Sequence, residues 1–243
     1  MKSYPITLKE FGRKGILIEW PNEVEEAILD DIIRFKSILE EELNDNIELV
    51  PAYNSIAIIS NNGDFEFEKL KKELLQLYKT NKATLITQRT LWKLPVCYDA
   101  EFGIDLEEVA FNLKMTSSEL IEIHSSNEYR VFGIGFLPGF MYLGGLPKHI
   151  ETKRKETPRL KVAKGAVGLA GKQTGIYPQE SPGGWNIIGN CPIPIFNANA
   201  EKPCFVSVGD KIKFESITRA EYELHKIEGE VGIYKPEKIL LDA

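Results

Sequence analysis

Two segments of the chain concentrate the residue types able to hold and polarise a small ligand. Residues 135–147 read GFLPGFMYLGGLP, and residues 157–189 read TPRLKVAKGAVGLAGKQTGIYPQESPGGWNIIG. Glycine lets the backbone approach a ligand closely or adopt positive φ, and proline stiffens the connections between. Phe136, Phe140, Tyr142, Tyr177 and Trp185 could wall a pocket. Arg159, Lys161, Gln173, Thr174 and Ser181 could supply the few polar groups that fix a ligand's orientation. Arg159 follows Thr157-Pro158, whose proline restricts the chain, and its guanidinium fork suits a carboxylate or a phosphate. Gln173-Thr174-Gly175 offers amide and hydroxyl groups on approachable backbone, and Trp185, after Gly183-Gly184, would form an apolar wall. The same composition also suits a barrel with tight turns and an aromatic core.

Other chemistry-bearing residues are more ambiguous. His124 ends a helical stretch, where an imidazole acts as general acid or base, as a phosphate contact, or most commonly as a cap favoured by the helix dipole. Glu101 and Asp105 are candidate bases in a segment that equally suits helix capping, and Cys97, between Val96 and Tyr98, reads as a buried strand residue. The standard signatures fail. Residues 166–172 approach a phosphate-binding loop, but Ala166 stands where glycine is needed and Gln173 where the magnesium-binding hydroxyl would be. Gln179-Glu180-Ser181-Pro182-Gly183 lacks the first glycine of a nucleophile elbow. Three histidines and three cysteines lie too far apart in sequence to suggest a metal site or a disulfide framework.

Composition bounds the possibilities. The chain has 243 residues, 43% hydrophobic and 27% charged, with a net charge of −6, which excludes disorder and argues against generic nucleic-acid binding. Residues 148–164 nevertheless carry seven Lys/Arg against two Glu, a basic run suited to a small anionic ligand or to a solvated loop. No signal peptide or membrane helix is expected, since the uncharged stretches 131–147 and 181–200 are rich in glycine, proline or asparagine. A reduced, cytoplasmic, soluble protein with no membrane partner is the expectation.

The elements that must position these residues divide near residue 90. Over 1–90 the pattern is β-α-β-β-α-β: Ile16–Ile18, a helix from Pro21 to about Leu43 closed by Asn44-Asp45-Asn46, paired strands at 47–50 and 55–60, a helix carrying Phe67, Leu70, Leu74 and Tyr78, and a strand at 84–87. That order is ferredoxin-like, a scaffold or docking domain. Over 91–243, Asp105 is expected to cap a short helix, and Thr116-Ser117-Ser118-Glu119 and Thr218-Arg219-Ala220-Glu221 mark two more. Residues 131–190 hold 12 of the 19 glycines between short strands, the texture of a β-barrel or sandwich.

CYDAEFGIDLEEVA (97–110), HSSNEYRVFGIGFLPGFMYLGGLP (124–147), the 157–189 block and PAYNSIAI (51–58) resemble the family of KipI and the 5-oxoprolinase B subunits, also described as allophanate hydrolase subunit 1 or carboxyltransferase subdomain C/D. The resemblance spans nearly the whole chain. Asp99-Ala100 depart from small, Gly-rich residues, and Lys172 stands where glycine is common. It implies an α+β chain: a small N-terminal α/β domain, then a cyclophilin-like β-barrel domain. It also implies ATP-dependent opening of 5-oxo-L-proline to L-glutamate, with Mg²⁺ arriving on ATP, and with a homologous 5-oxoprolinase C subunit and a separate A subunit as partners. A related branch inhibits a sporulation histidine kinase, and related modules transfer carboxyl groups from biotin in urea carboxylases. With no self-sufficient catalytic motif, the isolated chain is expected to be silent. The candidate catalytic groups are His124, Arg159 and Gln173. The candidate substrate-binding residues are Pro138, Gly139, Phe140, Lys161, Thr174, Tyr177, Ser181, Gly183, Gly184 and Trp185. They are expected to converge on one pocket, with His124 and the 138–140 turn at its rim.

Overall fold

The computed structural model describes residues 4–43, 46–80 and 89–241. They fall into two compact units, one within 1–88 and one over 89–241. In the first, β1 (Thr7–Glu10), β2 (Gly15–Glu19), β3 (Ile47–Ala52) and β4 (Ser55–Ser60) form an antiparallel sheet in the order β1-β2-β4-β3. Helix α1 (Glu26–Glu42) buries Ile28, Ile32, Phe35 and Leu39, and α2 (Phe67–Lys79) buries Leu74 and Tyr78. Helix α1 starts later than Pro21 suggests, because a turn at Pro21–Glu23 intervenes and leaves Val24 exposed. Strand β1, absent from the sequence-based pattern, occupies the edge beside β2; the expected strand at 84–87 and the helix stop at 44–45 lie outside the described residues.

The second unit contains β5 (Arg89–Val96), α3 (Leu106–Asn112), α4 (Ser117–Ser126), β6 (Glu128–Ile134), β7 (Met141–Gly144), β8 (Arg159–Val162), β9 (Ala166–Ala170), β10 (Gln173–Ile176), β11 (Ser181–Gly183), β12 (Asn186–Asn190), β13 (Lys211–Ser216), α5 (Arg219–Glu230) and β14 (Glu237–Leu241). Eight strands form one sheet in the order β12-β9-β10-β7-β6-β13-β5-β14, and β8 pairs with β11 in a separate ribbon. Both expected capping boxes are present, with Thr116 and Thr218 accepting from the backbone N–H groups of Glu119 and Glu221.

The chain is thus mixed α+β with several sheets, and its described strands close no barrel. The reason lies at β5. Its outer side pairs antiparallel with β14, so it cannot pair along its length with the far edge strand β12. Only the residue after β5 reaches across: the backbones of Cys97 and Asn190 exchange two hydrogen bonds of 2.9 Å. The sheet curls back on itself around an apolar core that includes Leu94, Tyr129, Leu143, Leu169, Ile188 and Phe214.

Candidate functional site

The site is built on β10, whose sequence Gln173-Thr174-Gly175-Ile176 runs on into Tyr177. Successive strand side chains point to opposite faces. Thr174 and Ile176 therefore enter the main core, whereas Gln173 and Tyr177 face a second, smaller aromatic cluster. Gly175 lies between them on that face. A Cβ there would come within 2.7 Å of the Met141 carbonyl oxygen and 3.1 Å of the Trp185 ring, so glycine is what lets Trp185 lie against the strand.

Phe140 is the hub of this cluster. Its ring meets Tyr142, Tyr177, Trp185 and Phe136 edge-on, at centroid distances of 5.0, 5.2, 5.4 and 5.7 Å. Together these rings wall a cavity of about 350 Å³, with Gln173, Gly183 and Gly184 also on its lining. Phe136 is a backbone outlier, an aromatic residue at φ +70° that is 65% exposed at the mouth. Burial raises the Tyr177 pKa, while the Trp185 backbone and the cations of Arg154 and Arg159 pull the other way.

Six of the candidate catalytic and substrate-binding residues thus meet at one cavity: Phe140, Gln173, Tyr177, Gly183, Gly184 and Trp185. The others do not line it. Arg159 is turned onto Asp105, its Nη2 2.5 Å from Oδ1. The same carboxylate accepts from Lys155 Nζ at 2.9 Å and from the Ile187 backbone N–H at 2.7 Å. Burial alone would raise the Asp105 pKa; its hydrogen bonds to Arg159, Ile187 and Lys155 outweigh that and hold it below the ordinary carboxylate value. Asp105 stands at the start of α3 but makes no side-chain cap, because its oxygens are committed to this clamp.

Lys161 is exposed and pairs with Glu180 at 3.3 Å. Pro138 is exposed at its turn, and Gly139, at φ +82°, packs on Phe196. The Ser181 hydroxyl donates to the Pro182 carbonyl oxygen at 3.2 Å.

His124 and Thr174 form a buried polar chain in the main core. The Thr174 hydroxyl donates to the Gly168 carbonyl oxygen at 3.1 Å. Its oxygen therefore accepts from His124 Nε2–H at 2.9 Å, and His124 Nδ1 accepts from the Tyr98 hydroxyl at 2.7 Å. The ring is fully buried, stacks on Phe214 at 4.6 Å, and burial lowers its pKa to about 3. It is neither at the cavity rim nor a helix cap. As a neutral imidazole with both nitrogens engaged, it is a core histidine.

Arg154, Pro158, Ala170 and Pro182 also line the cavity, although nothing in the sequence singles them out, and Phe136 and Tyr142 join them as wall-forming aromatics. No local signal separates Arg154 from the basic residues around it; only the path of the chain brings it to the cavity.

Residues 6–206 match the carboxyltransferase domain, subdomain C and D. The chain is 33% identical over 232 residues to the 5-oxoprolinase B subunit of Bacillus subtilis, covering 91% of this chain and 97% of that one. The crystal structure of TTHA0988 superposes with a TM-score of 0.73 at 29% identity, covering 84% of this chain; the matched region is 40% of the longer TTHA0988 chain. The K. lactis urea amidolyase structure shares the fold alone, with a TM-score of 0.79 at 19% identity over 98% of this chain and 16% of that one. The chain belongs to the carboxyltransferase subdomain C and D family, the family that includes the 5-oxoprolinase B subunits.

Proposed function

We propose that the chain is the B subunit of a 5-oxoprolinase, a cytoplasmic assembly that opens 5-oxo-L-proline to L-glutamate with ATP hydrolysis. The observation that carries this reading is the match to the Bacillus subtilis protein over nearly the full length of both chains. The two units serve as a ferredoxin-like scaffold over 1–90 and a cyclophilin-like ligand unit over 91–243. A homologous C subunit and a separate A subunit complete the assembly.

The aromatic cavity is the ligand site in this reading. A lactam amide is stable, so its opening by water needs close placement of the ring before its carbonyl carbon is attacked. The rings around Phe140 provide a dry, rigid wall, and the Gln173 amide provides hydrogen-bonding groups beside it. ATP with Mg²⁺ supplies the driving force in the assembly. The residues on this cavity do not fit a nucleotide, since their one cation is Arg154; the near phosphate-binding sequence at 166–172 is the β9 strand and its turn into β10, not a loop opening a helix.

The test is recovery of the tagged chain from its native cell. The reading expects two co-purifying partner chains and ATP hydrolysis by the recovered complex that depends on 5-oxo-L-proline. Recovery with a biotinylated partner, and activity on urea instead, would overturn it in favour of a carboxyltransferase.

A further inference from the structure

The cavity has a distinctive charge inventory. Arg154 is the single charged residue on its lining. Three cations near it in sequence are engaged elsewhere: Arg159 by Asp105, Lys155 by Asp105 and Glu108, and Lys161 by Glu180; Lys153 is exposed and does not line the cavity. Arg154 forms no ion pair among the described residues. The strap that carries it is fixed at several points. Lys155 N–H donates to the Gly184 carbonyl oxygen at 2.8 Å, and Asn186 donates to the Lys153 carbonyl oxygen at 2.8 Å. Arg154 is thus an exposed, unneutralised guanidinium presented by anchored backbone at the mouth of an apolar cavity.

Size and charge both restrict the ligand. About 350 Å³ is at the small end of ligand cavities. A polyphosphate needs several cations or a concave run of backbone N–H groups. This lining offers one cation, and its Gly183 serves close packing against the Tyr177 hydroxyl. One guanidinium above aromatic walls matches one carboxylate on a small ring.

We infer that this cavity takes a monoanionic, ring-sized carboxylate, with Arg154 holding the carboxylate and the Phe140–Trp185 wall holding the ring, and that the nucleotide binds elsewhere in the assembly. Arg154, not Arg159, is the specificity-determining cation. The inference rests on the 5-oxoprolinase reading for the ring carboxylate as ligand class; the assignment of Arg154 as its cation rests on the cavity lining.

The test is calorimetric titration of the full chain with 5-oxo-L-proline, with pyrrolidin-2-one (the same lactam without its carboxylate), with cyclopentanecarboxylate, and with ATP plus Mg²⁺. Arg154→Gln is compared with Lys172→Gln, which removes one positive charge from the exposed β9–β10 turn. Equal thermal unfolding of both variants and the parent checks folding. The expected result is that Arg154→Gln weakens 5-oxo-L-proline roughly ten- to a hundred-fold. It should also erase the preference over pyrrolidin-2-one, while Lys172→Gln changes neither and ATP with Mg²⁺ does not compete. Indifference of 5-oxo-L-proline binding to Arg154→Gln, or competition by ATP, would overturn the inference and leave the proposed function standing. Arg154-dependent binding of cyclopentanecarboxylate with no binding of 5-oxo-L-proline would support the inference and defeat the proposed function. Absence of binding by either ring carboxylate, to the chain alone and to the assembled complex, would overturn the inference.

Discussion

Asp105 holds Arg159: Oδ1 and Nη2 lie 2.5 Å apart, although 54 residues separate them in sequence. The carboxylate is 2% exposed and the guanidinium side chain 28%. Because Lys155 shares the same oxygen, Asp105 pins both ends of the segment 155–159, next to Arg154 and including Pro158, both on the cavity lining. Arg159 is therefore a structural cation that helps shape the site from outside.

Asp105→Asn should destabilise the chain by about 3 kcal/mol, because it leaves two cations beside an uncharged, buried amide. Urea unfolding measures this. The pH dependence has a definite sign. The folded pKa lies below the ordinary value of 3.8, so the unfolded chain takes the proton first as pH falls. The stabilisation from Asp105 is full above about pH 4 and is lost as pH falls through the lowered folded value; Asp105→Asn should remove that component. An unchanged acid limb in the variant would contradict the clamp.

His124 gives a second pH signature. Its folded pKa of about 3 is below the ordinary 6.5, so the unfolded chain again takes the proton first. Its contribution is complete above about pH 6.5 and declines as pH falls towards 3. NMR should show a neutral His124 ring at about pH 5 with the proton on Nε2. His124→Phe should cost about 1–3 kcal/mol for each hydroxyl left without its histidine partner, on Tyr98 and Thr174. It should leave the pH profile of the assembled complex unshifted; a shifted catalytic pKa would restore a catalytic role.

Gly175→Ala places a methyl group against the Met141 carbonyl and the Trp185 ring. The closest contact is the Met141 backbone carbonyl oxygen on β7, so the β7–β10 pairing must give as well as the Trp185 ring on the cavity wall. Ligand affinity should fall, and overpacking should cost about 1–3 kcal/mol of stability. Ligand titration beside thermal unfolding checks this; unaltered affinity would show that the Trp185 wall does not contact the ligand.

Phe136→Gly separates strain from function. An aromatic residue in the left-handed region costs about 1–2 kcal/mol, which glycine relieves, although glycine also gives freedom to the unfolded chain. Thermal unfolding should therefore change little. Ligand affinity should fall, because the exposed ring at the cavity mouth is gone. A large stability loss would mean that Phe136 serves packing instead.

What is legible in the sequence is local. The two capping boxes and the apolar faces of α1 and α2 follow from spacing within a few residues. The aromatic cavity is legible in outline, because glycine, proline and aromatic residues cluster at 135–147 and 157–189. The sorting of neighbours is not. Gln173 and Thr174 read as members of one pocket, yet strand alternation sends them to opposite sides of the sheet. Arg159 and Arg154 cannot be ranked from sequence, because Asp105 neutralises the first through a contact that no spacing rule exposes. The barrel remains open for a similar reason: β14, far along the chain from β5, takes the edge that closure would need.

The central claim is that this chain is one essential part of an assembly and has no turnover of its own. It is tested most directly by reconstitution of this chain with the proposed A and C subunits, each omitted in turn, measuring glutamate and phosphate released from 5-oxo-L-proline and ATP. The expected result is coupled release of both products when all three are present, and none from this chain alone. Steady turnover by this chain alone, or an undiminished rate when it is omitted, would contradict the claim.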